Sequence, residues 1–418
     1  MIRTPTSMTT ANLHPGFGDV LKDRPLRRLW LAQVVSVFGD FLAVFAIFSV
    51  VTFQMHGTAM QVSMILVSYL APLAVLSPVA GVFVDKWNVK WTMIASDLIR
   101  GLLILNLILV HDLNAIYATF VALSAVSTLF LPAQSVAVRA LAPPSALLVV
   151  NALMTQAVQG SQIISPSLAG VLVDRLGANS CFLFDSFSFF FSAAMVMTLA
   201  IHRAPASGAQ AKSVLSSLAQ GFRFIFGHPT VSFVMISMTA GMFAVRCFGT
   251  LLSIYVRDVL HSTMELFGTL NTLIGIGMIV GTQLLHRFAR RVPGPFLVVY
   301  GLGGMGLAVL LTAVFGKVAT TAIGMLGLGF FAAFIMVTAQ TLIQQETPHE
   351  LLGRVSSSMM SLLAVSQVLA MFVAGPVAQS AGIRNLYFGS AAMLVAIGII
   401  GLARLRTPKA AAAEDAAD

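Results

Sequence analysis

Five ionisable residues lie inside long apolar stretches of this chain, and any chemistry has to be sought there first: Asp40, Asp97, Arg100, Asp185 and Arg246. In hydrocarbon such side chains cost about 2.5–3.5 kcal/mol each at mid-depth, so they default to function or to pairing. Asp40 has no base nearby in its own stretch. Removal from water disfavours the charged form of a carboxyl group, so Asp40 could take up a proton from one side and release it to the other. The competing reading makes Gly39-Asp40 a kink whose acid pairs permanently with an arginine. Asp97 and Arg100 are three residues apart, on one helical face, where they could pair. Arg246 has no local partner; Asp40 or Asp97 from another helix, or an anionic ligand group, could supply one. Asp185 reads as structural.

Uncharged polar residues could line a cavity around these groups. Gln33, Ser36, Asn106, Gln156, Gln159, Gln162, Asn271, Gln340, Gln344 and Gln367 are the candidates. Hydrogen bonding between helices is their alternative use. Phe243, Phe248, Phe330 and Phe331 could form an adaptable apolar wall. No phosphate loop of the G-x-x-x-x-G-K-[S/T] type is present and the eight histidines lack ligand spacing, so neither ATP, metal nor cofactor is expected. Cys181 and Cys247 read as small apolar packing residues, not a disulfide framework.

The elements that must position these residues follow from composition. The chain is 58% hydrophobic and 9% charged, against about 25% charged in soluble domains, so it cannot cover a water-facing surface. Its apolar runs are of about 20 residues, the length of a membrane-crossing helix, and they lack the alternation of barrel strands. The reading is an all-α membrane protein of twelve spans, near 27–53, 61–83, 91–110, 114–137, 151–173, 180–201, 229–256, 264–287, 295–315, 318–341, 354–380 and 385–405. With both termini placed in the cytoplasm, 18 of the 24 Lys and Arg fall on cytoplasmic segments and 4 outside, as the positive-inside rule requires. The net charge of +9 is then a matter of topology, and no nucleic-acid partner is invoked. The first 26 residues contain no apolar core of a cleaved signal peptide.

The chain divides into a tail (1–26), a six-span half (27–201), a basic Ala/Ser-rich linker (202–228), a second half (229–405) and a tail (406–418). Leu215, Leu218, Phe222 and Phe226 predict an amphipathic helix in the linker. The halves repeat: residues 133–170 resemble 339–375, each with Ala-Gln, a Pro-containing polar loop and a Ser/Gln-rich span closing on Ala-Gly. A finer repeat relates Gly-Val-Phe-Val-Asp-Lys-Trp (81–87) to Gly-Val-Leu-Val-Asp-Arg-Leu (170–176), with Asp97 and Asp185 following. Such duplication marks secondary transporters.

Gly81, Asp85, Lys86 and Lys90 match the G-x-x-x-D-[R/K]-x-x-x-[R/K] loop between the second and third helices of the major facilitator superfamily, which the whole chain resembles. Asn88 stands where that family often has glycine. The corresponding loop of the second half, 281–291, keeps Gly281 and its basic residues but has Leu285 in place of the acid. Residues 26–40, 95–101 and 346–357 further resemble the branch of macrolide-efflux proteins and the enterobactin exporter; the opening segment is also similar to lysophospholipid transporters. The resemblance implies two six-helix bundles rocking about a cavity, in a bacterial inner membrane. It implies proton-coupled efflux of amphipathic small molecules (drug, macrolide or siderophore-like), or, alternatively, carriage of lysophospholipid. Protons, the small-molecule or lipid substrate and the membrane lipids are then the partners, and a monomer suffices. It also implies a cytoplasmic gate of Gly81, Asp85, Lys86, Lys90, Asp97, Arg100 and Arg354, in which Asp85 meets the start of the eleventh helix near Gly353 and Arg354.

Overall fold

The computed structural model describes residues 16–110, 112–201, 214–348 and 351–414. Twelve of its helices are long and apolar enough to cross a membrane. A short helix, Phe17–Lys22, precedes them. The first half comprises α1 (Arg24–Ser49, extended by a π-helical turn Val50–Gln54), α2 (Ala59–Lys86), α3 (Val89–Leu109), α4 (Leu113–Leu141), α5 (Leu147–Leu176) and α6 (Ala178–Met197). A linker helix, Val214–Gly227, leads to α7 (Pro229–Asp258), α8 (Met264–Ala289), α9 (Gly294–Phe315), α10 (Val318–Glu346), α11 (Leu352–Ala381) and α12 (Ile383–Glu414). No strand occurs among the described residues.

Side chains set the ends of several helices. Thr58 and Gln61 form a reciprocal capping box at the start of α2, Asn88 caps α3, and Asp112 accepts from the Asn114 and Ala115 amides at α4. Each satisfies amide donors that a helix start leaves without partners. The half-repeat is visible in the terminators. Gly177 ends α5 at φ +80° and Gly382 ends α11 at φ +89°, each seven residues beyond the Ala-Gly of the repeated segment. Positive φ at both points lets the chain reverse at little steric cost.

The same repeat joins the halves. At Gly170 on α5, a Cβ would lie 3.1 Å from backbone atoms at the start of α8; at Gly375 on α11, one would lie 2.9 Å from Ser63 Oγ on α2. These are symmetry-related approaches, one for each half. Within the second half, α8 and α10 touch backbone to backbone. A Cβ on Gly277, Gly281 or Gly329 would strike main-chain atoms of the facing helix, the close contact small residues allow in membranes. Gly329→Val should therefore cost about 2 kcal/mol through overpacking, read as a lower melting temperature of the purified protein in detergent.

The linker helix forms as the sequence predicts, but its apolar face differs. Gly221 sits on the Arg354 carbonyl of α11, Ser358 donates to the Leu218 carbonyl, and Ile225 is fully buried. Phe226 is 62% exposed, because docking against α11 rotates the buried stripe toward Ile225.

Candidate functional site

Among the described residues the hydrogen bonds between the halves lie at one end of the bundle, the end remote from the termini. There Thr52 of α1 donates to Ser253 of α7 at 2.9 Å. Arg257 of α7 reaches across to the Thr52 carbonyl at 2.6 Å and the Gly57 carbonyl at 3.0 Å, while Asp258 holds the guanidinium from behind at 2.6 and 3.0 Å. Thr272 of α8 donates to the Ile163 carbonyl of α5 and accepts from Ser167, both at 2.8 Å. Phe267 of α8 packs against Phe45 and Phe48 of α1.

Nearer the termini no hydrogen bond joins the two halves among the described residues. On α5, Ile163, Pro166 and Gly170 form the stripe that meets α8. Gln159 continues that stripe by one turn, and it is exposed, as is Gln162 beside it. Arg246 lies 7 and 11 residues before Ser253 and Arg257, on the same face of α7 at 3.6 residues per turn. It therefore faces the other half, roughly 10 Å below the Ser253 contact at 1.5 Å per residue.

Arg246 Nε donates to Gln367 Oε1 of α11 at 2.6 Å. No ion pair joins it to an acid among the described residues; neither Asp40 nor Asp97 is its partner. Phe243, one turn away, is half-buried. On the opposite wall Asp40 is half-buried, and its carboxylate has no hydrogen-bond partner among the described residues. It shares a face of α1 with Ser36 and Gln33, both buried, and Gln33 accepts from Gln134 of α4. The charged groups that act on Asp40, Arg100 and Asp97, belong to the first half.

Behind it lies a fixed cation. Arg100 pairs with Asp97, whose other oxygen accepts from Ser192 of α6 at 2.7 Å. The guanidinium is held between the Phe130 and Phe189 rings, 4.3 Å from each centroid, an arrangement favoured by the negative faces of both rings. Arg100→Ala would leave buried carboxylates without their cation, at a cost of about 3–5 kcal/mol. Loss of the folded peak in size-exclusion chromatography would register it.

Other sequence candidates fall elsewhere. Phe248 is not a cavity wall: it is 2% exposed and stacks on Tyr387 at 4.2 Å, inside the second half. Phe330 and Phe331 pack with Phe334 against α8 and α9. Asn106 bonds to Thr119 of α4, and Asn271 to the Phe267 carbonyl of its own helix. Gln156, Gln340 and Gln344 are exposed. Of the expected gate, Arg354 donates to Gln220 of the linker helix and Lys90 is half-buried at the start of α3. The side chains of Gly81, Asp85 and Lys86 lie outside the described residues, as do tail residues 1–15 and linker residues 202–213. Sequence reasoning missed Arg257 as a contact between the halves, since a lone basic residue at a span end gives no such signal.

The model of the Major Facilitator Superfamily matches residues 29–371 and again 234–417. The chain belongs to this superfamily. Among relatives of this major facilitator protein, the "Uncharacterized MFS-type transporter YfiS" of Bacillus subtilis is 26% identical over 390 residues, covering 90% of this chain and 92% of its own. "Macrolide efflux protein A" of Streptococcus pyogenes is 23% identical over 387 residues, 89% of this chain and 94% of that protein. A bacterial homolog of the human lysosomal transporter Spinster, solved in an inward-facing and occupied conformation, superposes with a TM-score of 0.70 at 11% identity, over 91% of this chain and 96% of that one. The protein is thus an integral membrane transporter and not an enzyme, with an efflux pump among its relatives.

Proposed function

We propose that this protein exports amphipathic small molecules in exchange for protons, by alternating access between its two halves. The observation that carries the reading is that hydrogen bonds between the halves cluster at the end remote from the termini, while Asp40 and Arg246 lie below that seal. The distribution of Lys and Arg supports termini in the cytoplasm; in this reading the open side faces inward, in a bacterial inner membrane. The macrolide-efflux relative supports a bulky, largely apolar cargo.

In this reading Asp40 binds the proton and Arg246, with Gln367 and Phe243, meets the cargo. Half-burial leaves both reachable from water in the open state. Asp85 and Arg354 would latch the cytoplasmic end when the halves rock the other way; here Arg354 is engaged by the linker helix. A monomer holds every residue the scheme uses.

The experiment is erythromycin accumulation in inside-out vesicles, with and without an imposed proton gradient. Gradient-dependent uptake is expected. Uptake indifferent to the gradient removes the proton from the scheme. Movement of lysophosphatidylcholine without erythromycin uptake replaces the scheme with the lipid-carrier reading.

A further inference from the structure

The first half buries a carboxyl group that neither the pairing around Arg100 nor the cavity accounts for. Asp185 of α6 is wholly inaccessible to water. Its Oδ1 accepts a long 3.2 Å bond from Ser188, whose stronger bond, at 2.7 Å, goes to the Asp185 carbonyl. Its Oδ2 has no hydrogen-bond partner among the described residues. An ionised carboxylate in that situation is among the costliest things a membrane interior can hold, whereas a neutral carboxyl is far cheaper. The cation nearby is committed: Arg100 faces Asp97 and two aromatic rings, and its Nε is itself unpartnered at 4% residue exposure.

Asp185 packs against the helix that carries Asp40. Gly39 is the contact point between α1 and α6. A Cβ there would lie 2.6 Å from Asp185 Oδ1 and 3.0 Å from Asp185 Cα. Glycine is therefore required for α1 to press against the acid, and the next residue of α1 is Asp40. The half-buried Asp40 and the sealed Asp185 thus flank one close helix contact. The groups facing Asp185 are few. Helix α1 brings Asp40, α3 brings Arg100, which is paired with Asp97, α2 brings the Tyr69 phenol, and α6 itself brings Cys181. Helix α5 brings no ionisable group before Asp174, near its remote end.

We propose that Asp185 and Asp40 form a two-carboxyl proton-binding site, in which Asp40 exchanges with water and Asp185 stores the proton. The step starts with Asp185 ionised, its stored proton having left by the reverse transfer: it breaks the O–H bond of the Asp40 carboxyl and forms one on the Asp185 carboxylate, leaving Asp40 ionised and free to take another proton from the open side. Nothing is oxidised and no other group is consumed. The proposal rests on the proton-coupled reading above for its use in transport, but the binding site itself does not.

Infrared difference spectroscopy across a pH step, on purified protein without any cargo, tests it directly. The protein should show the carbonyl stretch of protonated carboxyls. Asp185→Asn and Asp40→Asn should each remove one component, and the double variant both. Asp185→Glu should move one component to the glutamic position, which keeps the assignment testable if the asparagine variant folds poorly. A spectrum unchanged by Asp185→Asn and by Asp185→Glu overturns the proposal. Erythromycin uptake indifferent to a proton gradient, with the Asp185 component present and lost as expected, upholds the site and overturns only its coupling to transport.

Discussion

Asp40→Asn should abolish concentrative transport while leaving downhill movement in place. One proton exchanged for one cargo molecule across a one-unit pH gradient can sustain at most about a tenfold concentration ratio, since one pH unit is 1.36 kcal/mol. Without a carboxyl at position 40 the reachable proton site is gone, and the erythromycin ratio in reconstituted vesicles should fall to unity. The exposed glutamines Gln159 and Gln162 carry no charge and cannot replace it. An Asp40→Asn protein that still builds the tenfold ratio would show that the exchanged proton enters elsewhere. Asp40→Glu, which keeps the carboxyl, should retain coupling.

The second large effect is expected at Arg257. Its guanidinium bonds two carbonyls of the opposite half, and Asp258 fixes it from behind. A hydrogen bond to a charged group contributes about 1.5–3 kcal/mol, so losing one net bond should shift the balance between the two facing states by about tenfold or more at 1.4 kcal/mol per decade. Spin labels at Gln54 and Thr263, both exposed at the sealed end, would report it in a background with Cys181 and Cys247 replaced by alanine. Arg257→Ala should enrich the longer label distance. Asp258→Ala should do so more weakly, because the cross-half bonds survive. Unchanged distances in Arg257→Ala would mean that the α5–α8 and α2–α11 contacts hold the seal unaided.

The sequence spoke clearly wherever lipid imposes a rule. The hydropathy runs predicted twelve spans, and among the described residues the structure has twelve apolar helices that overlap them one for one; even the thin break at Asp112 is a helix boundary, because its carboxylate caps α4. The pairing of Asp97 with Arg100 was legible too, being set by helical spacing alone. Contacts made between helices were not. Phe248 looked like a wall residue because hydropathy does not say which way a phenylalanine faces, and only the stacking on Tyr387 places it in the core. Asp185 looked structural from its repeat relationship to Asp97. Their environments nonetheless differ, since Arg100 lies one helical turn from Asp97 and α6 has no basic residue between Ala178 and Met197 to serve Asp185. Arg246 was recognised as unpaired, but its neighbour Gln367 lies 121 residues away, beyond any local rule.

The distribution of these groups between the halves has a consequence for how binding events communicate. The three acids within the body of a span, Asp40, Asp97 and Asp185, belong to the first half, and the cation facing the cavity from α7 belongs to the second. A proton and an anionic cargo group would then occupy separate walls and need not displace one another. Their influence on each other would be transmitted through the contacts between the halves, by linkage and not by competition, so a saturating cargo should alter proton affinity without ever excluding the proton.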